Sequence, residues 1–173
     1  IMLRVGVIGC GGMGQDHIKR ITHKIQGAEV VAVTDVFEES AKKAAAICGA
    51  KVYADGKALI ESPEVDAVFI VSPGFAHVDS LLQAIKAGKR VFCEKPLCTT
   101  AEDCLKVVQA EADAGEHLIQ LGFMRRYDKG YQQVKEALAS GTYGEPLILH
   151  CTHRNPEVGT NYNTPMAVHD TAI

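Results

Sequence analysis

The residues with the plainest chemistry stand near the start of the chain, at Gly9-Cys10-Gly11-Gly12-Met13-Gly14. The spacing of Gly9, Gly11 and Gly14 suits a turn between a strand and a helix. The first glycine allows the tight turn, the second lets backbone approach a pyrophosphate, and the third lets the helix pack close to the strand. A helix that begins there points unpaired N–H groups and a positive dipole end at the phosphates. Asp35 follows about 20 positions later, at the end of the next apolar run. A carboxylate there accepts hydrogen bonds from both ribose hydroxyls and repels a 2′-phosphate. No arginine stands after it, only Val36 and Phe37. The pattern predicts a dinucleotide site of NAD type, built on Gly9, Gly11, Gly12, Met13, Gly14, Asp35 and Val36.

A second group has the chemistry to act on what the first one binds. Ser72-Pro73 and Glu94-Lys95-Pro96 each follow an apolar run. In an open α/β sheet, ligands bind outside the carboxyl ends of the strands. Both segments are therefore expected at the cofactor crevice, with Ser72, Pro73, Glu94 and Lys95 touching the cofactor. A lysine ammonium there orients a hydroxyl and favours developing alkoxide character. His77 either joins this neighbourhood or caps its helix. No metal is expected, because His150 and His153 are an odd number of positions apart and point to opposite sides of a strand.

These groups need a scaffold that alternates strands and helices. Strands are expected at Leu3 to Ile8, Val30 to Thr34, Lys51 to Tyr53, Ala67 to Val71, Arg90 to Cys93 and His117 to Leu121. Helices are expected over Met13 to about Ile25, Glu38 to Cys48, Lys57 to Glu61, Phe75 to Ala87 and Thr100 to about Asp113, the last capped by Thr100. On the first helix Met13, His17, Ile18 and Ile21 share one side. Strands apolar on both faces belong in a parallel sheet covered by helices. The fold class is α/β: a Rossmann doubly wound parallel sheet in order 3-2-1-4-5-6, over residues 2–122. The pattern changes near Gly122. A helix over Tyr131 to Ala139, a strand over Pro146 to Thr152 and a polar loop over Arg154 to Pro165 read as the start of an α+β second domain at 123–173.

Bulk properties narrow the function. The chain has 173 residues, 47% hydrophobic, with a net charge of −3. No run of like charges supports a nucleic-acid or membrane-surface role. No apolar stretch approaches the roughly 20 residues of a membrane span, and no signal peptide is evident. Six cysteines without a C-x-x-C pair fit reduced thiols. A soluble cytoplasmic protein is expected.

Three motifs bear a family resemblance: Gly9 to Gly14 after Ile8, Val71-Ser72-Pro73, and Glu94-Lys95-Pro96. Together they resemble the Gfo/Idh/MocA oxidoreductases. Phe123-Met124-Arg125-Arg126-Tyr127-Asp128, Cys151-Thr152-His153-Arg154-Asn155-Pro156 and Ala167-Val168-His169-Asp170 look like the inositol dehydrogenase branch of that family. The resemblance implies that Lys95 is the active-site lysine, preceding a peptide bond to Pro96 that is cis in relatives. It implies that Lys95, Met124, Arg125, His153, Asn155 and Asp170 contact a polyol, and that Asp170 orients a catalytic histidine four positions on, past Ile173. The chain is thus expected to be truncated at its C-terminus and inactive by itself. The implied reaction is NAD-dependent oxidation of myo-inositol at C2 to 2-keto-myo-inositol, in a homo-oligomer of tetrameric type. The same chemistry on scyllo-inositol, chiro-inositol or another sugar is an alternative. A non-catalytic dinucleotide-binding module is another, against which Lys95 and Asp170 argue.

Overall fold

The short apolar runs become strands, and the amphipathic segments between them become helices. In this computed structural model, residues 2–150 and 152 are described. Their order is β1 (Leu3–Ile8), α1 (Gly12–His23), β2 (Ala28–Thr34), α2 (Glu38–Cys48), β3 (Lys51–Val52), α3 (Gly56–Ile60), β4 (Ala67–Ile70), α4 (His77–Lys86), β5 (Arg90–Glu94), α5 (Ala101–Ala114), β6 (Ile119–Gly122) and α6 (Lys129–Ala139). Two 3-10 turns, Gly74–Ala76 and Met124–Tyr127, precede α4 and α6. The strands form one sheet in the order β3-β2-β1-β4-β5-β6. Every pairing is parallel. The direction of winding reverses between β1 and β4, and a crevice opens outside their carboxyl ends.

Side-chain parity on β1 divides the core. Val5 and Val7 join Ile18 and Ile21 of α1 and Ala44 of α2 in one cluster. Ile8 joins Leu59 and Ile60 of α3 and Leu81 and Ala84 of α4 in the other. Each such valine, leucine or isoleucine side chain, fully buried, contributes about 1.5–3 kcal/mol. Helix ends are set by local chemistry. Thr100 caps α5 through Asp103 N at 3.1 Å, and Asp55 caps α3 through Ala58 N at 2.7 Å. Among the described residues, no helix is long and apolar enough to cross a membrane.

The chain divides into two compact units, between Gly122 and Phe123. The first carries the whole sheet. In the second, α6 begins two residues before the expected start. The reason is Asp128, whose Oδ1 accepts from Gly130 N at 2.9 Å and Tyr131 N at 3.2 Å. Two expectations change. The helix expected from Phe75 opens as a 3-10 turn behind Pro73 and becomes α-helical only at His77. The strand expected over Pro146 to Thr152 does not form in the described part. Leu147 and Ile148 are 91% and 90% exposed, and no described strand pairs with them. Backbone groups of a strand need a neighbour to bond.

Candidate active site

The end of β1 is shaped for a phosphate. Gly9 has φ of 96°, a left-handed conformation that favours glycine. A Cβ there would stand 2.5 Å from Ser72 N, so β1 ends pressed against the loop after β4. A Cβ at Gly14 would collide with the Gly9 carbonyl oxygen. Gly11 and Gly12 differ from these: a Cβ on either meets no atom within 4 Å. Gly11 is the N-cap of α1, with no side-chain cap and no acidic residue in the first turn. Bare backbone and uncapped N–H groups at the N-terminus of a 12-residue helix fit a pyrophosphate. Met13 lies exposed beside them.

Asp35 closes the other side of this turn. Its Oδ2 accepts from Cys10 N at 2.6 Å, and its Oδ1 accepts from Phe37 N at 2.8 Å. A carboxylate has about four acceptor sites, so two lone pairs remain for ribose hydroxyls. Val36 and Phe37, 93% and 71% exposed, are its apolar neighbours. Burial, and then the Asp35 charge, push the Cys10 thiol up to about 12. Cys10 is therefore a neutral packing group. These residues fit NAD: a cradle for the pyrophosphate, and a carboxylate without a cation for the ribose.

Ser72-Pro73 and Glu94-Lys95-Pro96 follow β4 and β5, at the carboxyl edge of the sheet. The Lys95–Pro96 peptide is cis, as the resemblance implied. Lys95 is half-buried. Ser72 Oγ is buried without a hydrogen-bond partner among the described residues.

His77 has a structural role that the sequence did not show. It is 1% exposed, and its Nδ1 and Nε2 lie 2.8 Å from Pro96 O and 2.7 Å from Ser72 O. Its ring lies against the backbone carbonyls of two loops and does not cap α4. It ties the loop after β4 to the loop after β5, because a buried imidazole takes its partners from the backbone around it.

Glu94 also serves the protein directly. Its Oε1 lies 2.9 Å from His17 Nε2, and its Oε2 accepts from Lys95 N at 3.1 Å. Burial alone pushes this carboxyl up. The bonds from His17 and Lys95 N outweigh it and hold the group below the usual carboxylate range. Sequence reading missed His17 as a partner. The signal was a polar ring on the buried side of α1, where it needs a bond.

In the second unit, Arg125 Nη1 donates to Tyr131 Oη at 2.8 Å, and its guanidinium lies 5.1 Å from that ring's centroid. Met124 is exposed. His153, Asn155 and Asp170 lie outside the described residues.

A doubly wound sheet, a bare glycine turn at a helix N-terminus and a carboxylate just after β2 with acceptor sites to spare define the class: a dinucleotide-binding domain with a lysine at the same edge of its sheet. A model of the Gfo/Idh/MocA family, an oxidoreductase family with an NAD-binding Rossmann fold, matches residues 3–123. The chain belongs to the Gfo/Idh/MocA oxidoreductase family. It is 55% identical over 173 residues to an inositol 2-dehydrogenase of Pseudomonas syringae, covering 99% of this chain and 52% of that protein. Among solved structures it resembles a myo-inositol dehydrogenase from Lactobacillus casei in complex with NAD(H) and myo-inositol. The TM-score is 0.92 and the identity 46%, over 98% of this chain and 51% of that one. A scyllo-inositol dehydrogenase from the same organism, with NAD(H) and scyllo-inositol, gives a TM-score of 0.77 and 34% identity, over 82% and 42%. The chain spans about half the length of the curated relatives it matches.

Proposed function

We propose that the protein carrying this chain oxidises myo-inositol at C2 to 2-keto-myo-inositol, with NAD as acceptor. The observation that carries the reading is the placement of Lys95, which follows β5 at the carboxyl edge where the Gly9–Gly14 turn ends β1. NAD, when bound, takes up the hydride of the carbinol carbon. The residues of the chain do the rest. The Gly11–Gly12 backbone and the N–H groups of α1 hold the pyrophosphate, and Asp35 holds the adenosine ribose. Lys95 Nζ donates to the reacting hydroxyl and stabilises the charge that grows on its oxygen. Asp170 orients the base that removes the hydroxyl proton. Met124, Arg125, His153 and Asn155 contact the remaining hydroxyls.

Relatives act on more than one inositol, so a polyol panel is the test. The intact protein is incubated with NAD and myo-, scyllo- or D-chiro-inositol, and NADH absorbance is followed. A kcat/KM highest for myo-inositol is expected; a higher value for another polyol overturns the assignment. Lys95→Ala is expected to lower kcat at least about 100-fold, the scale of one lost transition-state donor, with NAD affinity kept. The reading includes a cytoplasmic location, supported by free thiols at Cys10, Cys48, Cys93, Cys98 and Cys104. It also includes a homo-tetramer, which sedimentation of the intact protein measures.

A further inference from the structure

We propose that His17 is a positioning residue for Lys95, acting through Glu94. A glutamate at the end of a strand has three rotatable bonds, and its carboxylate is expensive to order. Here both ends of the carboxylate are held. Oε2 accepts from Lys95 N at 3.1 Å and Oε1 meets His17 Nε2 at 2.9 Å. Both side chains are well sheltered, 18% and 16% exposed, so the pair is screened less than a surface pair.

His17 is itself fixed. Its ring packs edge-on against Phe69 and Phe92, with centroids 5.9 and 5.3 Å away. Those two rings stack on each other at 4.8 Å. These contacts restrict the imidazole, whose Nε2 lies against Glu94 Oε1. The Lys95 N–H that Glu94 holds sets the peptide plane from which the lysine side chain departs. On the far side of Lys95, Pro96 O is held by His77 at 2.8 Å.

His17 lies on α1, one turn after Gly14. The helix whose N-terminus receives the pyrophosphate thus also holds the backbone of the lysine. A displacement of α1 relative to β5 would be felt at both places. That gives the pair a role beyond packing: it keeps the lysine in register with the cofactor-binding turn.

Two substitutions separate the hydrogen bond from the packing. His17→Phe keeps an aromatic ring against Phe69 and Phe92 and removes the donor. His17→Gln keeps a donor and removes the ring. In the intact protein, His17→Phe is expected to lower kcat at least about tenfold, as a small misplacement of a reacting group does. NAD affinity should stay within about threefold, less than the cost of one lost hydrogen bond. His17→Gln should recover most of that kcat. Glu94→Ala should lower kcat as His17→Phe does, and adding His17→Phe to it should cost little more, because both act through one bond. A His17→Phe protein with unchanged kcat, a His17→Gln protein that fares worse than it, or additive losses in the double variant would overturn the proposal.

The kinetic arms rest on the proposed dehydrogenase activity, so a second readout does not use turnover. The Lys95 amide proton in a 1H–15N spectrum should move upfield in His17→Phe and return toward its original position in His17→Gln. An unmoved resonance overturns the proposal even if the polyol assignment holds. A moved resonance in a protein without polyol activity sinks the functional assignment and leaves the positioning role standing.

Discussion

Two glycines of one turn should respond to alanine in opposite ways. At Gly14 the added methyl would collide with the Gly9 carbonyl oxygen, so α1 and the turn must move apart. Forced overpacking of this kind costs about 1–3 kcal/mol. Alanine returns about 0.5–1 kcal/mol of that, because glycine inside a helix is unfavourable. A net loss of about 1–2 kcal/mol is expected for Gly14→Ala, read as a lower denaturant midpoint. At Gly11 the backbone is extended, with φ of −68° and ψ of −164°, and a Cβ meets nothing within 4 Å. Gly11→Ala should change stability by less than about 1 kcal/mol, because the gain of about 0.4–1 kcal/mol through the unfolded state is offset by alanine's poorer fit at the N-cap. Its methyl instead stands where the pyrophosphate approaches. Losing one or two charge-assisted bonds of about 1.5–3 kcal/mol each predicts an NAD affinity at least about tenfold weaker. Calorimetric titration with NAD, beside unfolding of each variant, makes the comparison. Gly11→Ala binding NAD as tightly as the parent would refute the placement of the pyrophosphate over Gly11.

Other positions make further demands. Asp35→Ala should weaken NAD by at least about tenfold, at about 1.5–3 kcal/mol per lost charge-assisted bond, while NADP affinity holds or improves; equal losses for both cofactors would contradict the ribose assignment. His77→Ala should cost about 3 kcal/mol, from a lost hydrogen bond to a carbonyl and a lost buried side chain; a loss under about 1 kcal/mol would show that the two loops do not depend on it. Hydrogen bonds from the Arg4 side chain, and then from its backbone N–H, hold the Asp66 carboxyl down to about 2. A depressed carboxyl stabilises the fold in full above its unfolded value near 4, and the contribution fades as pH falls through about 2. Asp66→Asn should flatten the fall in denaturant midpoint between about pH 4 and pH 2; an unchanged slope would refute the linkage.

The strand order and the NAD turn were readable because local rules decide them. Apolar runs such as Val5 to Ile8 have the length and β-branching of buried strands, and Gly9 and Gly14 each answer a steric need that the structure displays. Thr100 was readable as a cap for the same reason. What escaped depends on contacts far apart in the chain. The contact of Glu94 with His17 joins β5 to α1 across 77 positions. The tie that His77 makes to Ser72 O and Pro96 O joins positions 5 and 19 residues away. The segment Pro146 to His150 has the composition of a strand, yet composition supplies no partner for its N–H groups.

The two backbone bonds to Asp35 also bear on how cofactor preference changes over evolution. Asp35, which we propose reads the adenosine ribose, also accepts the Cys10 amide and shapes the turn after β2. A substitution that removes its charge to welcome a 2′-phosphate also leaves the Cys10 amide without its acceptor, at a turn where Gly9 leaves no slack. Switching cofactor therefore asks for a compensating acceptor in the same step. Lineages that carry this arrangement should change preference through coupled replacements around Cys10 and Phe37, rather than through one mutation at Asp35.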